Sequence, residues 1–276
     1  MALTVNTNLS ANRAMTQLGQ TGRALNGSFQ RISSGLRISK AADDAAGLGV
    51  AENLKVAYSS ARVAQRNVGD GVSMIAVAEG ATSEVASILG RMRELAVQSA
   101  SETLGDDERA YIQDEYVALA SEVDRIAGTT EFNGQALTDG TATTFGVQVG
   151  INNTANDQVD ITMGDLTAAT LGVDTGSIDM STASGASSAL TGIDAAIEMV
   201  SGYRSDYGAA ENRLGSALNN LETFAENTAA AESQIRDADF GYESAELAKN
   251  QVLQQAGVAV LAQAKSMSQA VLSLIQ

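Results

Sequence analysis

The 276-residue chain contains no proline, no cysteine, no histidine and no tryptophan. Average usage would place roughly 14 prolines in such a length. Their absence suits a chain made mostly of long helix, because an interior proline costs about 3 kcal/mol. Without cysteine there is no disulfide and no thiolate metal site, and the redox compartment stays open. Without histidine the usual general base, the commonest metal ligand and the triad partner are missing. Aromatic residues amount to 4%, while alanine, serine, threonine, asparagine and glutamine are abundant. Such a composition builds thin, closely packed helices rather than a thick core around a pocket. An enzyme is not expected, nor any cofactor or metal.

The formal net charge is −16. Nucleic acid is therefore not an expected partner, since phosphate neutralisation needs lysine and arginine. The charge is unevenly placed: residues 1–42 carry Arg13, Arg23, Arg31, Arg37 and Lys40 and no acid, which leaves −21 on the rest. A basic end and an acidic bulk allow copies to attract end to flank. The opening segment Ala2–Ser10 lacks the basic start and apolar core of a secretory signal. No run is expected to reach the roughly 20 apolar residues of a membrane span. Membrane insertion is thus not expected, and any export would use another route.

Apolar residues recur at alternating steps of three and four. Ala11, Met15, Leu18, Gly22, Leu25, Phe29, Ile32 and Leu36 predict a first helix over about 5–34, broken at Gly35 and by 39–49. A longer seam follows through Leu54, Ala57, Ala61, Ala64, Val68, Gly71, Ile75, Ala78, Thr82, Val85, Leu89, Met92 and Ala96. Its small residues let helices approach closely, and its regularity is that of a coiled-coil seam. After a break at 103–107, Ile112, Tyr116, Leu119, Val123 and Ile126 predict a shorter antiparallel return.

The texture changes from Gly128. Asn133-Gly134 and Asp139-Gly140 are turn signals, and Phe145, Val147, Val149 and Ile151 alternate as a strand does, followed by Val159, Ile161 and Met163. Residues 164–188 show little periodicity and predict loops with a short strand or turn. Helix resumes near Ser188 with a seam running from Leu190 to Ile235, three of whose places hold Arg204, Glu211 and Glu232. The last helix carries Leu253, Gly257, Val260, Ala264, Met267, Val271 and Leu274, with Leu261, Leu272 and Ile275 as a second apolar flank. A helix apolar around so much of its circumference is buried on more than one side.

The predicted fold class is mainly α: a long antiparallel helical bundle with a small β-hairpin region at its tip and the terminal helices paired as a coiled coil. Residues 1–43 with 236–276 form the expected terminal domain, and 44–235 a helical-bundle domain with its β region at about 129–180. Termini ordinarily fray, since unburied ends do not offset the entropy of being fixed. Two striped ends therefore imply partners: each other, and further copies of the chain.

Specific strings carry a resemblance. Residues 31–50 read RISSGLRISKAADDAAGLGV, residues 93–99 RELAVQS, and Phe132-Asn133-Gly134 forms a turn. Together with Val5–Asn8, Arg236–Phe240, the string QVLQQAGVAVLAQ over 251–263 and Val271–Ile275, they are similar to the terminal signatures of bacterial flagellins. The resemblance covers about 190 residues at the two ends. Only about 50 residues separate Gly140 from Leu190, so it is to a short form without bulky outer domains. Hook–filament junction proteins share parts of these signatures and are the alternative.

The resemblance implies a secreted subunit, exported unfolded and polymerised into an extracellular flagellar filament for motility. Its expected partners are further copies, with an export chaperone, cap and junction proteins. Leu18, Leu25, Phe29, Ile32, Leu253, Val260, Met267, Val271 and Leu274 are the expected polymerisation core. Arg91, Leu95 and Glu115 fall where related flagellins meet an animal Toll-like receptor, although Gly90 stands where those relatives carry glutamine. Asp43-Asp44 has the form of a paired-carboxylate acid/base site, but a pair opening the long helix, favoured by its dipole, is the preferred reading. Asn8-Leu9-Ser10, Asn26-Gly27-Ser28 and Asn152-Asn153-Thr154 match a glycosylation triplet that chance readily produces.

Overall fold

The computed structural model describes the backbone over residues 8–273 and side chains over residues 8–266. The chain divides into two compact units, Met1–Ala57 with Glu226–Gln276, and Tyr58–Ala225. The first holds nine basic and nine acidic side chains and is formally neutral, so the whole −16 falls on the second.

In the terminal unit, α1 (Leu9–Ser34) is opened by Asn8, whose Oδ1 accepts from the Ala11 N–H at 2.9 Å, an N-cap that serves the helix rather than a sugar. It ends at Gly35, whose φ of 72° is the left-handed cap glycine allows, with its N–H donating to the Arg31 carbonyl. Just beyond, the Arg37 N–H donates to the Arg236 carbonyl at 2.7 Å and the Ala238 N–H to that of Gly35 at 2.9 Å. This two-rung antiparallel bridge joins Leu36 to Asp237, and α5 (Phe240–Ser273) starts after it. The helices then run antiparallel side by side: Arg31 meets Glu243, Leu18 lies against Gly257, and Asn8 Nδ2 donates to the Ala264 carbonyl.

Asp43 and Asp44 serve the start of α2 (Ala45–Ser99). Asp43 Oδ2 accepts from the Lys40 and Ser39 N–H groups, which hold its carboxyl below the ordinary carboxylate range. Asp44 Oδ1 accepts from the Gly47 N–H at 2.9 Å, capping the first turn. Both carboxylates are engaged in turn geometry rather than in acid/base chemistry.

In the second unit α2 is antiparallel to α4 (Ala183–Arg236): Arg93 pairs with Asp194 at 2.6 Å, Glu79 with Arg204 at 3.6 Å, and Gly71 faces Leu214. The seam read from spacing is the buried seam, from Ala61, Ala64 and Val68 through Val85, Leu89, Met92 and Ala96. The same α2 contains an 18-residue window of mean hydropathy 1.3, long and apolar enough by composition to cross a membrane. That corrects the expectation that no run qualifies. One third of that window is buried inside the fold.

Helix α3 (Asp106–Thr129) returns along α2, and the buried Arg109 donates through Nε to the Ser99 carbonyl and through a terminal nitrogen to that of Ser101, satisfying the end of α2. Strands β1 (Glu131–Phe132) and β2 (Gln135–Ala136) form a hairpin whose turn residues, Asn133 at φ 51° and Gly134 at 77°, are both left-handed, as the favoured two-residue turn requires. Strands β3 (Thr144–Gln148) and β4 (Gln158–Thr162) pair Phe145 with Ile161 and Val147 with Val159. Val147 packs on α2 at Gly71, where an added Cβ would lie a tight 3.1 Å from Val147 Cγ2.

The stretch 163–180, read as loop, is loop by backbone yet core by burial. Leu166, Ala168, Leu171, Val173, Ile178 and Met180 join α2, α3 and α4 in one apolar cluster. Side chains satisfy its backbone: Tyr116 Oη donates to the Val173 carbonyl and Ser99 Oγ to that of Met180, both at 2.6 Å, while Asp124 and Gln113 accept from the Ala168 and Met180 N–H groups. These bonds replace the ladder a helix or strand would supply. Helix α4 also begins about five residues earlier than expected, because Thr182 Oγ1 accepts from the Gly185 N–H and starts it there.

Candidate interaction surface

The terminal helix pair meets along part of the stripe that spacing predicts, sharing Ala11, Leu18, Leu25 and Ile32 with it. On α1 the positions turned toward α5 are Ala11, Ala14, Leu18, Thr21, Leu25, Ser28 and Ile32, again at steps of three and four. On α5 they are Glu243, Leu247, Asn250, Gln254, Gly257, Leu261 and Ala264. Four polar residues, Thr21, Ser28, Glu243 and Asn250, are therefore buried between two helices rich in apolar side chains. The apolar ones they displace stand outside: Phe29 is 66% exposed, Val260 59% and Leu253 47%. Met15, Val252 and Val258 are exposed as well.

Of the expected polymerisation core, Leu18, Leu25 and Ile32 thus lie half-buried on the intrachain seam, and Phe29, Leu253 and Val260 on the open face. The side chains of Met267 and Val271, and all of Leu274, lie outside the described residues. The buried polar set was missed because the scan counted apolar residues only. Its signal was present: Thr21 and Ser28 stand seven apart in phase with Leu18, Leu25 and Ile32, as do Glu243 and Asn250 on α5.

Within the seam Arg31 Nε lies 2.8 Å from Glu243 Oε1, and Glu243 Oε2 has no hydrogen-bond partner. Arg31, Glu243, Ser28 and Asn250 border a cavity of about 340 Å³. In the second unit, Arg91 donates to Glu115 through two nitrogens, at 3.0 and 2.8 Å, and to Glu94 at 3.0 Å; these bonds, those to Glu115 foremost, raise its already high pKa. Arg91 and Glu115 are exposed, but Leu95 is 1% exposed within the apolar core. The expectation that Leu95 joins them in a receptor contact is corrected accordingly: its side chain is not at the surface.

Paired terminal helices with an open apolar face accord with the resemblance carried by the terminal strings. Residues 5–143 match the model of the bacterial flagellin N-terminal helical region, and residues 190–275 that of the C-terminal helical region. The chain belongs to the bacterial flagellin family. It is 42% identical over 272 residues to a flagellin of Halalkalibacterium halodurans, covering 99% of both chains. It is 38% identical over 306 residues to a flagellin of Bacillus subtilis, again covering 99% of each. Among solved structures, the Bacillus cereus flagellin superposes with a TM-score of 0.50 at 33% identity, over 60% of this chain and 94% of that one. Coverage of 99% of the flagellin relatives agrees with the short form: among the described residues, two small antiparallel sheets lie between the long helices.

Proposed function

We propose that this flagellin is the subunit of a bacterial flagellar filament and that its terminal helix pair is the element that assembles. The observation that supports this most directly is the inverted polarity of the pair. Phe29, Leu253 and Val260 are exposed while Thr21, Ser28, Glu243 and Asn250 are buried. Covering a Leu-sized side chain is worth about 1.5–3 kcal/mol, so an open apolar face on both helices favours contact with neighbouring copies. With Leu18, Leu25 and Ile32 holding the pair from inside, residues 1–43 and 236–276 act as the filament-core domain and 44–235 as a helical-bundle domain.

The family is one of structural proteins and forms the extracellular filament of motile bacteria. In this reading the chain is exported unfolded and meets an export chaperone, cap and junction proteins on the way. Arg91 and Glu115 offer an exposed, charged pair to a Toll-like receptor. The hook–filament junction alternative is the weaker one, because the flagellin models match both ends and the flagellin relatives match throughout.

The test is seeded growth. Purified chain added to sheared filament ends should extend them, and deletion of Leu253–Gln276 should abolish extension while leaving the helical signal of residues 58–225 intact. Extension at an unchanged rate by the truncated chain would overturn the proposal.

A further inference from the structure

Two pairings of α1 and α5 compete. One is that of the structure, through Thr21 and Ser28 on α1 and Leu247, Gln254 and Leu261 on α5, with Glu243 and Asn250 in the phase of Gly257 and Ala264. The other is a modest rotation of each helix away, and would join Met15, Gly22 and Phe29 to Leu253 and Val260 while sharing Leu18, Leu25, Gly257 and Ala264. On α1 the second exchanges Thr21 and Ser28 for Met15 and Phe29, so the hydrophobic effect favours turning α1 that way. On α5 it only exchanges Leu247 and Leu261 for Leu253 and Val260. It would also consume within one chain the face that neighbouring copies need.

What distinguishes the observed pairing is charge. Glu243 is 5% exposed and the Arg31 side chain 38%; Arg31 Nε lies 2.8 Å from one oxygen without hydrogen-bond geometry, and the other oxygen is unpartnered. A buried ion pair gives little net stability, because desolvation offsets the attraction; its best-attested use is to specify one alignment. Turning α1 toward Met15 and Phe29 draws Arg31 from Glu243, which stays in the seam in phase with Gly257 and Ala264, and so leaves a buried carboxylate without its cation. The bridge between Leu36 and Asp237 fixes where the two segments meet but not which faces the helices present beyond it.

We infer that the Arg31–Glu243 ion pair is a facing lock: it holds α1 against α5 by the face that carries Thr21 and Ser28, so that Phe29, Leu253 and Val260 stay open to other subunits. This rests on the reading of the terminal pair as the assembling element, and names the residues that direct it.

The absence of cysteine makes disulfide mapping clean. Thr21→Cys with Gln254→Cys reports the observed facing; Gly22→Cys with Leu253→Cys reports the rotated one. Each pair is placed in the otherwise unaltered chain, in Arg31→Leu/Glu243→Leu and in the charge exchange Arg31→Glu/Glu243→Arg. Chains are oxidised free and after seeded growth, and intrachain links are located by peptide mass. The unaltered background should link 21 to 254. The apolar double variant should shift the ratio of the two links toward 22–253 by about tenfold or more, with slower seeded growth. The charge exchange should restore both link and growth.

An unchanged ratio in the apolar variant overturns the lock. If that variant gives neither link nor growth, the charge exchange decides: restoration supports the lock, and failure to restore overturns it. Failure of the cysteine-free, unaltered chain to extend seeds would instead count against the proposed function.

Discussion

Replacing Tyr116 by phenylalanine isolates one hydroxyl that ties the irregular stretch 163–180 to α3. Tyr116 is fully buried, and its Oη donates to the Val173 carbonyl at 2.6 Å. Phenylalanine keeps the ring packing and removes the bond, leaving a buried carbonyl unsatisfied, at a cost of about 1–3 kcal/mol. With a urea dependence of roughly 2 kcal/mol per molar, the unfolding midpoint should fall by about 0.5–1.5 M. Far-UV circular dichroism of the full chain during urea titration reads this directly. Tyr111, 75% exposed on the same helix, is the control. Its hydroxyl is open to water, so Tyr111→Phe should change stability by less than about 0.5 kcal/mol. If the two variants shift the midpoint equally, the hydroxyl does not anchor the stretch and the account of its burial is wrong.

Alkaline pH should weaken the second unit. Burial, helped by the charge of Asp174, pushes Tyr116 well above the ordinary tyrosine range, and burial raises Tyr207 despite the Gly164 N–H that donates to its oxygen. Above about pH 10 the unfolded chain releases these protons while the folded chain keeps them, so stability falls as pH rises, by up to about 1.4 kcal/mol per pH unit for each tyrosine. Below that range their contribution is fully present; Tyr116→Phe/Tyr207→Phe should flatten the alkaline slope, and an unaltered slope would refute the cause. Salt should favour assembly, because the second unit carries the whole −16 and copies side by side repel. Raising ionic strength from 0.01 to 0.15 M shortens the screening length from about 30 to 8 Å, so light scattering should show growth at lower protein concentration; a higher threshold would contradict the charge argument.

The long seam of α2 was legible because each inward position faces one continuous partner surface. Spacing then equals burial, and Val68, Ile75, Val85, Leu89 and Met92 are all buried. The β3–β4 pairing was legible for the matching reason at period two. The stretch 163–180 was not. Its apolar residues enter the core at irregular intervals, and beside short-range backbone bonds its backbone relies on Tyr116, Asp124, Gln113 and Ser99 from elements more than 40 residues away in sequence. Local pattern holds no trace of a side chain that distant.

The terminal helices show a third case, in which the pattern is plain but has two owners. Period-seven repeats on α1 mark both Leu18–Leu25–Ile32 and Met15–Gly22–Phe29. An apolar scan merges them into one stripe and assigns it to the nearest partner, α5. The structure divides them: the first set, mixed with Thr21 and Ser28, faces α5, and Met15 and Phe29 face outward. A subunit that polymerises needs this division. Were the intrachain seam the more apolar of the two, the open face would gain little from a neighbour. Were the open face apolar with nothing to fix the pairing, the hydrophobic effect would close the chain on itself. Buried polarity at Arg31–Glu243 is therefore what lets a strongly apolar face remain available until another subunit covers it.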